Sequence, residues 1–127
     1  MVREGGVEII YIDNCDLIIT GDLNAYDFIR REVMLKLKKL AKELNVPIVG
    51  TLNAKRTTDP NPPSLSRFHS SYIENADVIL LLPQQRIRDE IPSPHIETLK
   101  IEKNCFGKTG KLKILFFLDT VCFDNLD

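Results

Sequence analysis

The feature that most restricts the fold is a pair of short β-branched runs joined by one long amphipathic segment. Val7-Glu8-Ile9-Ile10-Tyr11-Ile12 ends abruptly in the polar group Asp13-Asn14-Cys15-Asp16, the pattern of a buried strand with an acidic C-terminal edge. Asn24 is placed to cap a helix over residues 25–44, because Tyr26, Ile29, Val33, Leu37, Leu40 and Leu44 recur at spacings of three and four. Arg30, Arg31, Lys38, Lys39, Lys42 and Glu43 fall on its other face. Asn45 follows, Pro47 prevents the helix from continuing, and Ile48-Val49-Gly50-Thr51-Leu52 reads as a second buried strand. A strand, helix, strand unit within one parallel sheet crosses over right-handedly and gathers functional groups at its C-terminal strand edges, here Asp13 and Asn53.

Residues 54–67 are polar and hold Pro60, Pro62 and Pro63, so they read as a surface loop. A short helical turn over residues 70–75 is expected next, then a third buried strand over residues 78–82 and a charged loop over 83–94 with Arg86, Arg88, Asp89 and Glu90. From His95 to Lys103 apolar and charged residues alternate, and a second extended run covers residues 111–118 across the turn Phe106-Gly107-Lys108-Thr109-Gly110. That is a β-hairpin. Residues 121–123 extend it with a last edge strand. The expected class is therefore α/β, with a mainly parallel sheet, helices, and a C-terminal antiparallel hairpin, without internal repeats.

At 127 residues the chain is expected to form one domain around one core. Its 17 basic and 18 acidic residues leave a net charge of -1, so nothing draws the whole molecule to phosphate or membrane, and any nucleic-acid surface must be local. Cys15, Cys105 and Cys122 fit neither a zinc spacing nor a disulfide framework, which points to a reducing cytoplasm. The apolar runs at 78–82 and 112–118 are too short to span a bilayer, and the N-terminus shows no signal segment.

Gly107-Lys108-Thr109 invites a phosphate-loop reading. That loop needs a glycine five residues earlier, where Glu102 stands, and must lead from strand into helix. Here it joins two strands and reads as a hairpin turn. Asp13 is better placed. An aspartate closing an apolar strand is how a carboxylate reaches a magnesium ion or its water, although strand-terminal aspartates also serve as plain turn formers.

Three stretches in order carry a resemblance: residues 7–13, Leu37-Lys38-Lys39-Leu40-Ala41-Lys42-Glu43-Leu44-Asn45-Val46-Pro47-Ile48-Val49, and Glu74-Asn75-Ala76-Asp77-Val78-Ile79. Residues 100–110 followed by Phe123-Asp124-Asn125 extend it. Together they resemble the C-terminal half of the RecA-like ATPase domain of DnaB-type replicative DNA helicases over nearly the entire chain. The resemblance implies a partial RecA-like fold of the P-loop NTPase type with the Walker A portion missing.

On this resemblance Asp13 matches the Walker B aspartate, the residue that would serve magnesium. Asn53 falls where the family has a glutamine that senses the γ-phosphate; asparagine keeps the amide but is one methylene shorter. Lys103 matches a lysine that reaches into the neighbouring subunit's nucleotide site, and Cys105 stands where the family has its arginine finger. A thiol lacks the planar, permanently charged fork of arginine. Arg67 matches an arginine of the DNA-facing loop region, where Lys55 and Arg56 add charge that either contacts phosphates or is simply solvated.

ATP and Mg are implied as cofactors by the resemblance only, with none expected for this chain alone, and single-stranded DNA as a partner. The expectation is a truncated or degenerate relative, with Asp13, Asn53 and Lys103 vestigial and no ATP hydrolysis in isolation. The other reading is a non-catalytic interaction module. It pairs as a homodimer or docks on a full-length RecA-like ATPase subunit, covering a sheet edge that a missing strand leaves open.

Overall fold

A computed structural model describes residues 6–18, 26–53, 64, 65, 68, 70–82 and 93–126. The chain divides into two compact units, one of Met1–Arg56 with Phe68–Ala76 and one of Thr57–Arg67 with Asp77–Asp127. Among the described residues no helix is long and apolar enough to cross a membrane.

In the first unit, β1 (Ile10–Ile12) pairs in parallel with β2 (Ile48–Gly50), placing Ile10 opposite Ile48, Tyr11 opposite Val49 and Ile12 opposite Gly50. The strands are shorter than the apolar runs that contain them. Backbone bonds nevertheless continue beyond both ends of the ladder, from Ile10 N–H to Pro47 O, Thr51 N–H to Ile12 O and Cys15 N–H to Thr51 O, each at 3.0 Å.

Between the strands runs α1 (Tyr26–Leu44), close to the expected helix; its proposed cap, Asn24, lies outside the described residues. Its end follows from Asn45, which adopts a left-handed φ of 52°. Asparagine tolerates this conformation better than most residues. Val46 N–H then donates to Ala41 O at 3.1 Å and Asn45 N–H to Lys42 O at 3.3 Å, closing the helix as a Schellman turn before Pro47. Ile29, Val33, Leu37 and Leu44 are half-buried as their spacing requires, whereas Leu40 is exposed.

The short helix α2 (Ser70–Asn75) matches its expected span and is tied to α1 by Lys38 Nζ donating to Asn75 O at 3.3 Å and by the Arg31–Glu74 ion pair at 3.8 Å. The small core of this unit is Cys15 with Tyr72, packed round by Ile12, Ile29, Met34 and Leu52.

The second unit holds an antiparallel sheet of four strands in the order β3 (Val78–Leu81), β4 (His95–Asn104), β5 (Gly110–Phe117), β6 (Cys122–Asn125). The expected hairpin is β4–β5, with His95 opposite Phe116 and Ile101 opposite Gly110. One reading needs correction. The apolar run at 78–82 was expected as a strand buried on both faces, but β3 pairs antiparallel with β4, with an irregularity between Ile79 and Leu80, and only Leu81 is buried. A run of branched apolar residues shows no alternation, so its sequence cannot reveal that one face is open. Antiparallel pairing thus reaches beyond the hairpin. On one face the rings of His95 and Phe116 meet edge-on at 5.4 Å, and those of Phe116 and Phe123 lie 4.7 Å apart.

Candidate functional site

The sequence pattern pointed to the C-terminal edge of β1 and β2, and there the geometry is specific. Asp13 follows directly on β1 and is exposed. Thr51, directly after β2, donates its Oγ1 hydrogen to Asp13 Oδ1 at 2.5 Å. Parallel pairing brings the two strand ends side by side, so one oxygen of the exposed carboxylate is held by the threonine hydroxyl. Asn53 lies two positions beyond Thr51 and is also exposed.

After Asp13 the chain turns through a 3-10 helix over Cys15–Ile18. Asn14 shapes that turn, since its Oδ1 accepts from Asp16 N–H at 2.8 Å and its carbonyl from Leu17 N–H at 3.1 Å. Asp16 in turn accepts a hydrogen bond from the hydroxyl of Tyr72 in α2, and Arg30 of α1 lies 3.9 Å away. Burial, followed by the hydrogen bond and charge of Asp16, pushes the Tyr72 phenol up to about 12, against the opposing pull of Arg30. Cys15 is 5% exposed. Burial, then the charge of Asp16, raises its thiol above the ordinary value. A Cβ on Gly50 would overlap Cys15 Sγ, so any larger residue there requires the buried Cys15 side chain to shift.

One exposed carboxylate beside a threonine hydroxyl is a hard-oxygen donor set, which suits a magnesium ion that keeps several waters and takes its other ligands from phosphates. It is not a self-sufficient cage. Among the described residues no group of three or more His, Cys, Asp or Glu side chains could hold a metal ion.

The remaining residues singled out from the sequence are distributed elsewhere. Lys103 is half-buried on β4, opposite Ile79, in the second unit. Cys105 is exposed just past β4, its N–H donating to Asp77 O at 2.9 Å. Gly107-Lys108-Thr109 lies in the connection between β4 and β5, as a hairpin turn requires. Lys55, Arg56 and Arg67 lie outside the described residues. Thr51, Asp16, Tyr72 and Arg30 escaped sequence reading. A threonine in an apolar run looks like a strand former, and a contact between Asp16 and Tyr72, 56 residues apart, leaves no local trace.

Comparison with known proteins places these features in a family. Residues 1–125 match the DnaB-like helicase C terminal domain. Two curated relatives, each a replicative DNA helicase DnaB, come from Mycoplasma pneumoniae and Pasteurella multocida. The first is 29% identical over 140 residues, covering 95% of this chain, and the second 28% identical over 135 residues, covering 98%. The chain spans only 29% and 28% of their lengths. Among solved structures, one of an ATPase domain superposes with a TM-score of 0.77 at 25% identity, over 94% of this chain and 44% of that one. A DnaB-like replicative helicase, studied with its interactions with primase, superposes with a TM-score of 0.78 at 24% identity, over 94% of this chain and 31% of that one. The fold is thus part of a RecA-like helicase ATPase domain, parallel and antiparallel sheets included. With its match running over residues 1–125, the chain belongs to the DnaB-like helicase C terminal domain family.

Proposed function

We propose that residues 1–127 form the part of a DnaB-type replicative helicase ATPase domain that faces magnesium and the γ-phosphate, and that this polypeptide assayed alone does not hydrolyse ATP. The observation that carries the reading is the exposed Asp13 carboxylate, aimed by Thr51 at the C-terminal edge of a parallel strand pair. Asp13 is the magnesium-facing group, Asn53 the γ-phosphate-facing amide, and Lys103 the residue directed to a neighbouring subunit's nucleotide. Lys55, Arg56 and Arg67 meet the phosphates of single-stranded DNA without reading sequence. The protein works in the cytoplasm.

The inactivity follows from what must hold the triphosphate. Catalysis of phosphoryl transfer rests on backbone amides and a lysine around the β- and γ-phosphates, with an arginine to stabilise the transition state. The 127 residues contain no G-x-x-x-x-G-K-[ST] sequence, and Cys105 occupies the position of the arginine. ATP and magnesium are therefore held only where another polypeptide segment brings the phosphate loop to Asp13.

Binding of a labelled oligothymidylate, followed by fluorescence anisotropy as salt is raised, tests the DNA part of this reading. The logarithm of affinity falls linearly with the logarithm of salt, and replacing Lys55, Arg56 and Arg67 together by alanine flattens that slope by about 2. An unchanged slope removes these residues from the DNA contact.

A second reading is favoured by the sheet of the first unit. Among the described residues it has only two strands, and Tyr11 in β1 is 71% exposed. Parallel strands are ordinarily covered on both faces. In this reading the polypeptide is a non-catalytic module that pairs as a homodimer or docks on a RecA-like ATPase. Sedimentation then shows a concentration-dependent dimer, or a complex with such an ATPase, and the oligothymidylate does not bind.

A further inference from the structure

We infer that the outward face of α1 is a contact surface for a second copy of this chain, paired antiparallel about a two-fold axis beside Leu35. The inner side of the helix is already used, since Ile29 and Met34 pack round Cys15 and Tyr72. The outer side carries large apolar side chains where a solvated helix face is ordinarily polar. Phe28 is 67% exposed and Leu35 50%. With the exposed Lys42 they recur every seven residues, close to two turns of helix, which keeps all three on one side. The seam they form runs nearly the length of α1.

The charges beside the seam select the occupant and its direction. Asp27 and Glu32 lie on the N-terminal half of the exposed face, and Lys36, Lys39 and Lys42 on the C-terminal half with Glu43. Arg31 is engaged by Glu74. The in-helix pairs Glu32–Lys36 and Lys39–Glu43 are long, at 3.8 and 3.7 Å, and exposed, so they hold these side chains weakly. Lys42 forms no ion pair among the described residues. Parallel pairing sets each lysine against its own copy. Antiparallel pairing about Leu35 sets Leu35 against Leu35, Phe28 against the methylenes and ammonium of Lys42, and Glu32 beside Lys39. The face is therefore complementary to itself, whereas a uniformly acidic or basic partner meets like charge on one half. Such a contact is isologous, with the same surface used by both copies. It differs from the reach of Lys103 into a neighbouring subunit's nucleotide site, which joins unlike surfaces and starts from β4 in the other unit.

Sedimentation equilibrium of the full 127-residue chain over a concentration series tests this. A monomer–dimer equilibrium without larger species is expected, because a two-fold contact closes on itself. Leu35→Glu, whose far-UV spectrum stays that of the wild type because the position is exposed, weakens the dimer by about tenfold or more. Glu32→Lys and Lys39→Glu each weaken it as well. The double variant restores it, since the same pairing survives with its signs exchanged, a rescue that damage to the helix itself does not give. Direction is read by cross-linking in a Cys105→Ser, Cys122→Ser background. Under mild oxidation, chains carrying Phe28→Cys link to chains carrying Lys42→Cys when the two are mixed, and neither links to itself.

A chain that stays monomeric at its highest soluble concentration overturns the inference, as does a dimer indifferent to Leu35→Glu. A dimer kept in Leu35→Glu but lost in Tyr11→Asp assigns self-association to the sheet of the first unit instead. Linkage of Phe28→Cys to its own copy overturns the antiparallel direction. None of these results bears on Asp13 or on the oligothymidylate measurement, so the α1 contact and the proposed function fail separately.

Discussion

Tyr72 donates its hydroxyl hydrogen to Asp16 Oδ1, joining α2 to the turn that follows the Asp13 strand end. Arg30 of α1 approaches the same carboxylate oxygen at 3.9 Å. Three elements distant in sequence converge on one side chain, three residues after the acid that carries the candidate site. The turn that follows Asp13 is therefore held by tertiary packing as well as by its strand.

The Tyr72 contact has a pH signature. Its phenol is raised from an ordinary 10.0 to about 12, so the stability it contributes is complete below pH 10 and is lost as pH rises through about 12. Tyrosinate absorbance is expected to show one tyrosine titrating near that upper value, and Asp16→Asn to lower it without abolishing the shift, because burial remains the largest cause. Tyr72→Phe is expected to cost about 1–2 kcal/mol in urea denaturation at neutral pH.

Gly50 is fixed by its neighbour across the strand ends. With Cys15 Sγ occupying the space an added Cβ would need, Gly50→Ala is expected to destabilise the protein by about 1–3 kcal/mol through overpacking. Cys15→Ala in the same chain frees the space. The double variant should then recover much of the loss in urea denaturation, and additivity of the two costs would contradict the contact.

The thiols should separate by burial. Cys105 and Cys122 are exposed, whereas Cys15 is buried and its thiol is raised, first by that burial and then by the charge of Asp16. A thiol reagent at neutral pH is expected to label the first two rapidly and Cys15 only as the chain unfolds. Equal rates for all three would show that the core around Tyr72 is open.

Local signals account for most of what could be read from sequence. The three- and four-residue spacing gave α1, Asn45 with Pro47 gave its end, and alternation gave the hairpin. Asp13 was visible because an apolar run stopped at an acid. The partners of that acid were not visible: Thr51 became its neighbour only through the β1–β2 register, and Tyr72 met Asp16 through the packing of α2. The face shared by His95 and Glu97, whose side chains meet at 2.9 Å and are each 11% exposed, was legible in principle. Residues two apart on a strand lie on the same side. The antiparallel pairing of β3 was not, because Val78-Ile79-Leu80-Leu81 reads the same in a parallel sheet.

On the proposed function, these 127 residues present a carboxylate to magnesium but do not by themselves grip a triphosphate. Equilibrium titration of the purified polypeptide with a fluorescent ATP analogue, in the presence of magnesium, tests it most directly. No saturable change is expected, and none should appear when Cys105→Arg restores a guanidinium at the finger position. Saturation in the micromolar range, abolished by Asp13→Ala, would contradict the account.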